Sequence, residues 1–587
     1  MNRIVRHVGR SLTPFRLWIG DLRDPKVVRA DMIAGVTVAL VLVPQSMAYA
    51  QLAGLPMHVG LYAAFLPVMV AAVFGSSRQL ATGPVAVVSL MTAAALGPIV
   101  AASGLSGPEA IGLYIALAAL LALLVGLIQV LLGLLRLGLL VDFLSLPVVV
   151  GFTNGAAIII ATSQLDKIFG VERPLADYAY EQVWGVLVHA ASDAHLATLL
   201  MAVTAFAIML ALPRYLPRVP EVLTAVAATT LLAWAIDFQG IGGQVVGEIP
   251  VGLPGFKAPT LELDIVLELA APALLISLIG FMEAISIAKA MAVRTRQRLD
   301  PSQELVGQGL SNIVAGVFQG YPVSGSFSRS AVKLSAGAVT GFSSVTTAVV
   351  VAVTLLFLTP LLYYLPLATL AAVIIMAVVK LIRIAPIREA LKVQPMDGAV
   401  AILTLGLVLV LAPQVELAIV AGVVLSLAAF LYRSMRPRFS ELSLHRDGGY
   451  EEATRHDLPT CERISLLRFE GPLYFASAGH LESRVLENVA SKPGLKFVVL
   501  DAGGINEVDA TGIDILRHLA ERLNLAGIDL QIARANRAVM DTFERAGFVA
   551  QLGADHFVER CDLAIERGLR ALGVEAARSP LRPPVRP

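Results

Sequence analysis

Apolar runs follow one another from about residue 31 to about residue 434, separated by short polar breaks. A helix needs about 20 apolar residues to cross the hydrocarbon core of a bilayer. The runs predict spans over 31–52, 57–75, 82–98, 110–134, 138–163, 196–212, 219–236, 266–293, 304–319, 324–338, 341–362, 365–380, 397–413 and 415–433. The third and tenth of these fourteen are unusually short. The predicted fold class is therefore an all-α polytopic membrane domain over 31–435, preceded by a polar segment, 1–30. After Arg438 the pattern changes: 436–459 reads as a polar linker, and from about 460 strand and helix patterns alternate. Ile464–Phe469, Lys496–Asp501 and Asp529–Ala533 predict strands, and Thr511–Leu525 and Val539–Ala546 predict helices, which implies a small α/β domain over 460–575. The Pro/Arg-rich stretch 576–587 is expected to be disordered.

Composition agrees with a life in lipid. Of 587 residues, 57% are hydrophobic and 15% charged, with mean hydropathy +0.76, where soluble chains are about a quarter charged. Net charge is +1, yet the basic residues are unevenly placed. With the basic N-terminus (Arg3, Arg6, Arg10, Arg16, Arg23, Lys26, Arg29) in the cytoplasm, the inside loops hold Arg78, Arg136, Arg214, Arg218, Arg294, Arg296, Arg298, Lys380, Arg383, Arg388 and Lys392. The outside loops hold little beyond Lys167, Arg173 and Lys257. The positive-inside rule then favours an even number of spans, with both termini cytoplasmic. No cleavable signal peptide is expected, because no short apolar stretch precedes a small-residue site in the first thirty residues. A nucleic-acid partner would want a basic face on a soluble domain, and none is visible. Cys461 and Cys561 show no CxxC spacing and read as two reduced thiols. No cofactor or metal is expected: the sequence has no Walker A loop, no HExxH and no Cys/His cluster, so an ion or substrate gradient must drive any transport.

The candidate chemistry lies in the two short spans. Thr82-Gly83-Pro84-Val85 can be laid over Ser324-Gly325-Ser326-Phe327, each an extended stretch with a glycine before a helix start. They stand seven spans apart. Seven is odd, so the second copy runs inverted, and paired interrupted segments in inverted halves point to a transporter site near the midplane. Extended backbone at that depth needs protein or a cavity to satisfy it, and the two stretches suit pairing as short strands. Two helix N-termini would then face one cavity, with unsatisfied N–H groups and partial positive charge that suit an anion. Pro84 suits a first helical position, and Ser326, Ser328 and Ser330 add hydroxyls. Arg329 would be a mid-membrane cation, costing at least about 2.5–3.5 kcal/mol on insertion scales. It serves either as a fixed charge beside an anion or as an ion-pair partner of Glu283, which lies mid-span in the eighth run. Glu283 reads as a proton-coupling carboxylate or as that structural partner. Gln45 and Tyr49, four apart on the first span, share a helix face and line the cavity or join helices. Asn154, inside Gly151-Phe-Thr-Asn-Gly155, reads as helix packing.

These residues fall in blocks that resemble a known family. Pro44-Gln-Ser-Met-Ala-Tyr-Ala-Gln-Leu-Ala-Gly54, Leu305-Val-Gly-Gln-Gly-Leu310 with Ser311-Asn312, and Gly325-Ser-Phe-Ser-Arg-Ser-Ala331 resemble the signature blocks of the sulfate permease (SulP) family, whose animal relatives include the solute-carrier anion exchangers and prestin. The resemblance implies fourteen helices in two inverted repeats of seven, similar to uracil-type transporters, with core and gate domains. It also implies elevator-like alternating access, a homodimer, and a place in the bacterial inner membrane. It implies that Gln45, Tyr49, Val85, Ser326, Phe327, Ser328 and Arg329 surround a small anion and that Glu283 matches the acidic position linked to proton coupling. Ile287 stands where sodium-using bicarbonate members carry a threonine, and the Ser-rich Gly325–Ser330 resembles sulfate transporters more than bicarbonate or dicarboxylate ones. Lys333 departs from the asparagine usual there. The expected activity is therefore proton-coupled sulfate uptake, with bicarbonate or C4-dicarboxylate transport as the alternative and no enzymatic reaction. A nucleobase symporter on the same fold would want carboxylates or amides facing a neutral ring, where this site has an arginine between serines. Val508-Asp-Ala-Thr-Gly-Ile513 resembles the strand-to-helix turn of a STAS domain, whose tasks include dimer contact and docking of a cytoplasmic partner. Thr511 there is either a regulatory phosphorylation position or a helix N-cap. A membrane-anchored signalling scaffold built on that domain is the remote alternative.

Overall fold

Every apolar run carries helix in the computed structural model, which describes residues 14–137, 145–172, 174, 178–216, 219–412, 414–573 and 580–581. Lipid offers a backbone no hydrogen bonds, so a spanning segment must pair its N–H and C=O groups internally. In chain order the elements are α1 (Pro25–Leu52), α2 (Met57–Ala63), α3 (Leu66–Phe74), β1 (Ala81–Gly83), α4 (Ala86–Ala102), α5 (Gly107–Leu134), α6 (Leu146–Thr162) and α7 (Leu165–Phe169). There follow α8 (Ala179–Asp193), α9 (Leu196–Tyr215), α10 (Glu221–Ala235), α11 (Leu263–Thr295), α12 (Pro301–Val317), β2 (Ser324–Ser326) and α13 (Phe327–Ser335). The last are α14 (Phe342–Val353), α15 (Leu367–Val379), α16 (Ile384–Val393), α17 (Pro395–Leu411) and α18 (Val415–Met435). Among the described residues, nine helices are long and apolar enough to cross a membrane, and α4, α10 and α17 are shorter apolar ones.

The elements differ from the sequence reading at one helix start and by two added helices. The first helix starts at Pro25, not 31, because Asp24 accepts a hydrogen bond from Lys26 N (2.9 Å) and caps it. The stretch 1–13 and residues 138–144 of the fifth run lie outside the described residues. Two helices, α8 and α16, occupy what reads as loop, since both are too polar on one face to register as spans. The packing reading of Gly151 and Gly155 holds: a Cβ on Gly151 would stand 2.3 Å from Ala401 O of α17, and one on Gly155 2.8 Å from Val408 Cβ.

The two broken segments meet. β1 and β2 pair antiparallel, with Ala81 opposite Ser326, Thr82 opposite Gly325 and Gly83 opposite Ser324. Helix α4 leaves β1 after Pro84 and Val85, and α13 leaves β2 directly. Pro84 is thus not the first helical residue. Val85 is the extended N-cap (φ −139°, ψ 149°), and aligning the two caps pairs Val85 with Ser326, one position off the overlay drawn from sequence. Gly83 sits at φ +148°, which bars a side-chain-bearing residue and lets the chain turn from strand to helix.

The chain divides into two compact units, 1–426 and 427–587. In the second, six strands run in the order β4-β3-β5-β6-β7-β8: β3 (Arg438–Leu444), β4 (Tyr450–Glu452), β5 (Ile464–Glu470), β6 (Phe497–Asp501), β7 (Asp529–Ala533) and β8 (Phe557–Val558). Strands β5 to β8 are parallel, and β3 pairs antiparallel with both β4 and β5. Side chains alternate between two cores. Leu467, Phe469, Val498 and Leu500 face one, and Ile464, Leu466 and Val499 face the other with Cys561, Ile565 and Leu569. The linker expected over 436–459 therefore carries two strands of the sheet, β3 and β4. Polar residues hide the alternation in Arg438–Leu444, yet Leu442 is buried in one core and Phe439 packs on the other. Of the tail 576–587, only Pro580 and Leu581 are described; Leu581 is buried, and its carbonyl accepts a hydrogen bond from Tyr450 Oη (3.0 Å).

Candidate substrate-binding site

Short extended segments among helices have to be held by side chains, and those of α12 do much of the holding. Gln308 Nε2 donates to Thr82 Oγ1 at 2.8 Å, which fixes β1. Asn312 brackets Val323 just ahead of β2: its Oδ1 accepts from Val323 N (2.8 Å), and its Nδ2 donates to Val323 O (3.1 Å) and to Gln129 Oε1 of α5 (3.0 Å). Ala81 N donates to Ser330 Oγ (2.9 Å), Ser324 Oγ donates to Gly280 O (2.7 Å), and Tyr321 shares a hydrogen bond with Ser89 (3.0 Å). Glu304 accepts from Ser76 N and Ser77 N, both at 2.8 Å, and anchors the loop before β1. Gly325 is required sterically, since a Cβ would stand 2.8 Å from Leu80 Cδ1 and 3.0 Å from Ala284 Cα.

At this crossing the helix starts face a cavity of about 580 Å³. Gln45, Tyr49, Val85, Glu283, Ser326, Phe327 and Ser328 all line it, as do Ala86 and Val87 at the start of α4. The sequence-named residues from α1, α4, α11 and α13 are thus brought together. Arg329 is the exception: it lies behind the lining, 1% exposed. Its main-chain N reaches the capping hydroxyl of Ser326 at 3.5 Å, and Nη1 reaches Gln45 Oε1 at 3.5 Å. Nε and Nη2 are buried with no hydrogen-bond partner. No ion pair joins Arg329 to Glu283 among the described residues, and Glu283 Oε2 is likewise buried without a partner. A buried guanidinium with two open donors and no carboxylate is a rare arrangement that asks for an explanation.

Sequence reasoning quoted Gln308 and Asn312 as part of a signature and gave them no task; their buried amides in an otherwise apolar run were the available signal. Lys333 is buried at 1% exposure, and its Nζ donates to Ser344 Oγ of α14 at 2.7 Å. In the second unit, Thr511 is exposed at the second position of a helix, Ala510–Leu525, and does not cap it. Asp509 is the N-cap: its carboxylate accepts from Gly512 N (2.7 Å) and from Phe475 N (2.9 Å), a reach that Thr511, already inside the first turn, lacks.

Comparison with known proteins bears on both units. Residues 28–404 match the sulfate permease family and residues 456–560 match the STAS domain. The probable sulfate transporter 4.2 of Arabidopsis thaliana is 34% identical over 577 residues, covering 95% of this chain and 83% of that protein. A probable sulfate transporter of Mycobacterium tuberculosis is 34% identical over 551 residues, covering 92% of this chain and 95% of the relative. The solved structure of the murine anion transporter Solute Carrier 26 family member A9 in its inward-facing state is similar in fold. It has TM-score 0.87 and 21% identity over 95% of this chain and 94% of that one.

Proposed function

Because the chain belongs to the sulfate permease family and carries a STAS domain, we propose that it performs proton-coupled sulfate uptake by elevator-type alternating access. The family is one of transporters, not enzymes, and the chain is a multi-pass integral membrane protein. In this reading fourteen spans form two inverted sets of seven, divided into a core domain that carries the site and a gate domain that stays put. The protein works as a homodimer in the bacterial inner membrane, both termini in the cytoplasm. The STAS domain supplies dimer contacts and a docking face for a cytoplasmic partner, with Thr511 exposed there for modification.

Arg329 carries the reading. A buried guanidinium with Nε and Nη2 unpaired, next to two helix starts, is a site whose electrostatics are incomplete without an anion. Each helix N-terminus favours an anion by about 0.3–1 kcal/mol, rising to about 2 kcal/mol when partly buried. Each charge-assisted hydrogen bond adds about 1.5–3 kcal/mol. Rotation of the Gln45 carboxamide off Nη1 opens the guanidinium to the cavity, where Ser326 and Ser328 supply hydroxyls. Glu283 lines the same cavity, so its negative charge opposes a dianion. A proton on Glu283 removes that repulsion, so proton and sulfate travel together.

The test is uptake of labelled sulfate by proteoliposomes under an imposed pH gradient, against a panel that includes bicarbonate and succinate. Accumulation of sulfate that follows the proton gradient is the expected result. Accumulation of another anion in its place reassigns the substrate, and uptake indifferent to the gradient removes the proton.

A further inference from the structure

The cavity is lined by a guanidinium that the site described above does not use. Arg383, between α15 and α16, is exposed and lines the same cavity as Ser326, Phe327 and Ser328. Its Cζ stands 5.7 Å from the centroid of the Phe327 ring. Phe327 opens α13, so this ring links Arg383 to the helix start that faces the cavity.

Two further observations set Arg383 apart from an ordinary surface arginine. Its main chain is bracketed by one buried carboxamide. Asn154 Oδ1 accepts from Arg383 N (2.7 Å), and Asn154 Nδ2 donates to Arg383 O (3.2 Å). Asn154, read from sequence as a packing residue, is thus a positioning residue that fixes where the arginine is rooted. The guanidinium itself has no ion pair among the described residues. Its neighbour at the same mouth, Lys380, is held by Glu221 at 3.1 Å. Arg383 is therefore a cation fixed at its root, resting on an aromatic face in the lining of the cavity.

We propose that Arg383 is an anion-relay residue, which takes the substrate anion at the mouth and hands it past Phe327 to the helix starts. The proposal rests on the anion-transport reading above. A bare phenyl face is electronegative and would repel an incoming anion. Covered by a guanidinium, the same face becomes the attractive step on the path. A cation over a solvent-reached ring is weakly held, whereas an oxyanion offers a paired, charge-assisted contact. The anion therefore draws the side chain off the ring, and the fixed root limits its swing to the cavity.

The experiment uses full-length protein in proteoliposomes of defined orientation, measuring initial sulfate rates from each face for the parent, Arg383→Gln, Arg383→Lys and Asn154→Ala. Arg383→Gln is expected to raise KM on the Arg383 face by roughly three- to fivefold, the loss of one solvent-facing charge contact. KM on the opposite face and kcat stay near the parent's. Arg383→Lys recovers most of the loss, and Asn154→Ala gives a smaller shift on the same face. Unchanged KM in Arg383→Gln, or equal shifts on both faces, overturns the relay. A parent that moves bicarbonate or succinate and not sulfate sinks the substrate reading alone, and the same KM comparison with that anion decides the relay. A parent that moves no anion sinks both.

Discussion

Replacing Asn312 with leucine keeps the branched shape of the side chain and removes the carboxamide that ties α12 to the chain entering β2. Three groups lose their partner: Val323 N, Val323 O and Gln129 Oε1. Orphaning a buried polar group costs about 1–3 kcal/mol, so the two main-chain groups alone put the penalty at about 2–6 kcal/mol. A tenfold change in an equilibrium constant takes about 1.4 kcal/mol. Even the lower bound thus shifts the balance between held and released β2 more than tenfold. The helices around it keep their own ladders, so the penalty falls on the Tyr321–Ser326 segment and not on the fold. The assay pairs amide hydrogen exchange over that segment with sulfate uptake. Asn312→Leu should lose protection at Val323 to Ser326 and drop uptake more than tenfold, while helix content and expression persist. Parent-like protection and uptake in this variant would refute the view that the carboxamide holds the binding segment in place.

The remaining predictions concern coupling and the STAS unit. Glu283→Gln, an isosteric neutral mimic of the protonated acid, should keep sulfate binding and counterflow and lose the component driven by a pH gradient; a variant that still concentrates sulfate under that gradient puts coupling elsewhere. Asp509→Ala should destabilise the STAS unit by about 1 kcal/mol as a lost N-cap, while Thr511→Ala stays within about 0.5 kcal/mol as an exposed change; urea unfolding of both compares them, and the reverse order would return the cap to Thr511. Burial pushes the Cys561 thiol up to about 12, with the Asp501 charge adding to it. At pH 8 only about one thiol in 10⁴ is then thiolate, the reactive form, so maleimide labelling of Cys561 should be negligible in the folded protein and rise on denaturation; fast labelling of Cys561 itself in the native chain, with Cys461 replaced by serine, would contradict that burial.

Much of the site was legible because its signals were chemical exceptions in an apolar background. Gly, Ser and Pro clustered at the starts of two short runs, and a lone arginine and a lone glutamate stood in mid-span. Gln45, Tyr49, Val85, Glu283, Ser326, Phe327 and Ser328 do line one cavity, and the two extended stretches do pair. What escaped reading depends on geometry that sequence does not carry. That Arg329 sits behind the lining is set by how α13 packs against Gln45 and Gly83, whose Cβ position lies 3.4 Å from Arg329 Nη2. The cap of α4 falls on Val85 because Pro84 follows a glycine at positive φ, and the chain needs both residues to turn. The strand Arg438–Leu444 reads as linker because its apolar residues are few and set among polar ones, as in a loop; its pairing with Tyr450–Glu452 as well as with the next strand is not visible in that composition. Asp509 and Thr511 are both capping types, and the register of the helix start chose between them.

The central claim is that the anion sits where the starts of α4 and α13 converge, within reach of Arg329. The most direct measurement is the structure of the protein with selenate as a heavy, sulfate-like dianion, located by its anomalous signal. One peak is expected within hydrogen-bonding distance of the α4 or α13 main-chain N–H groups and of Ser326 or Ser328, with the Arg329 guanidinium turned toward it. A peak confined to the mouth beside Lys380 and Arg383, or an Arg329 still turned to Gln45 with selenate bound elsewhere, would contradict it.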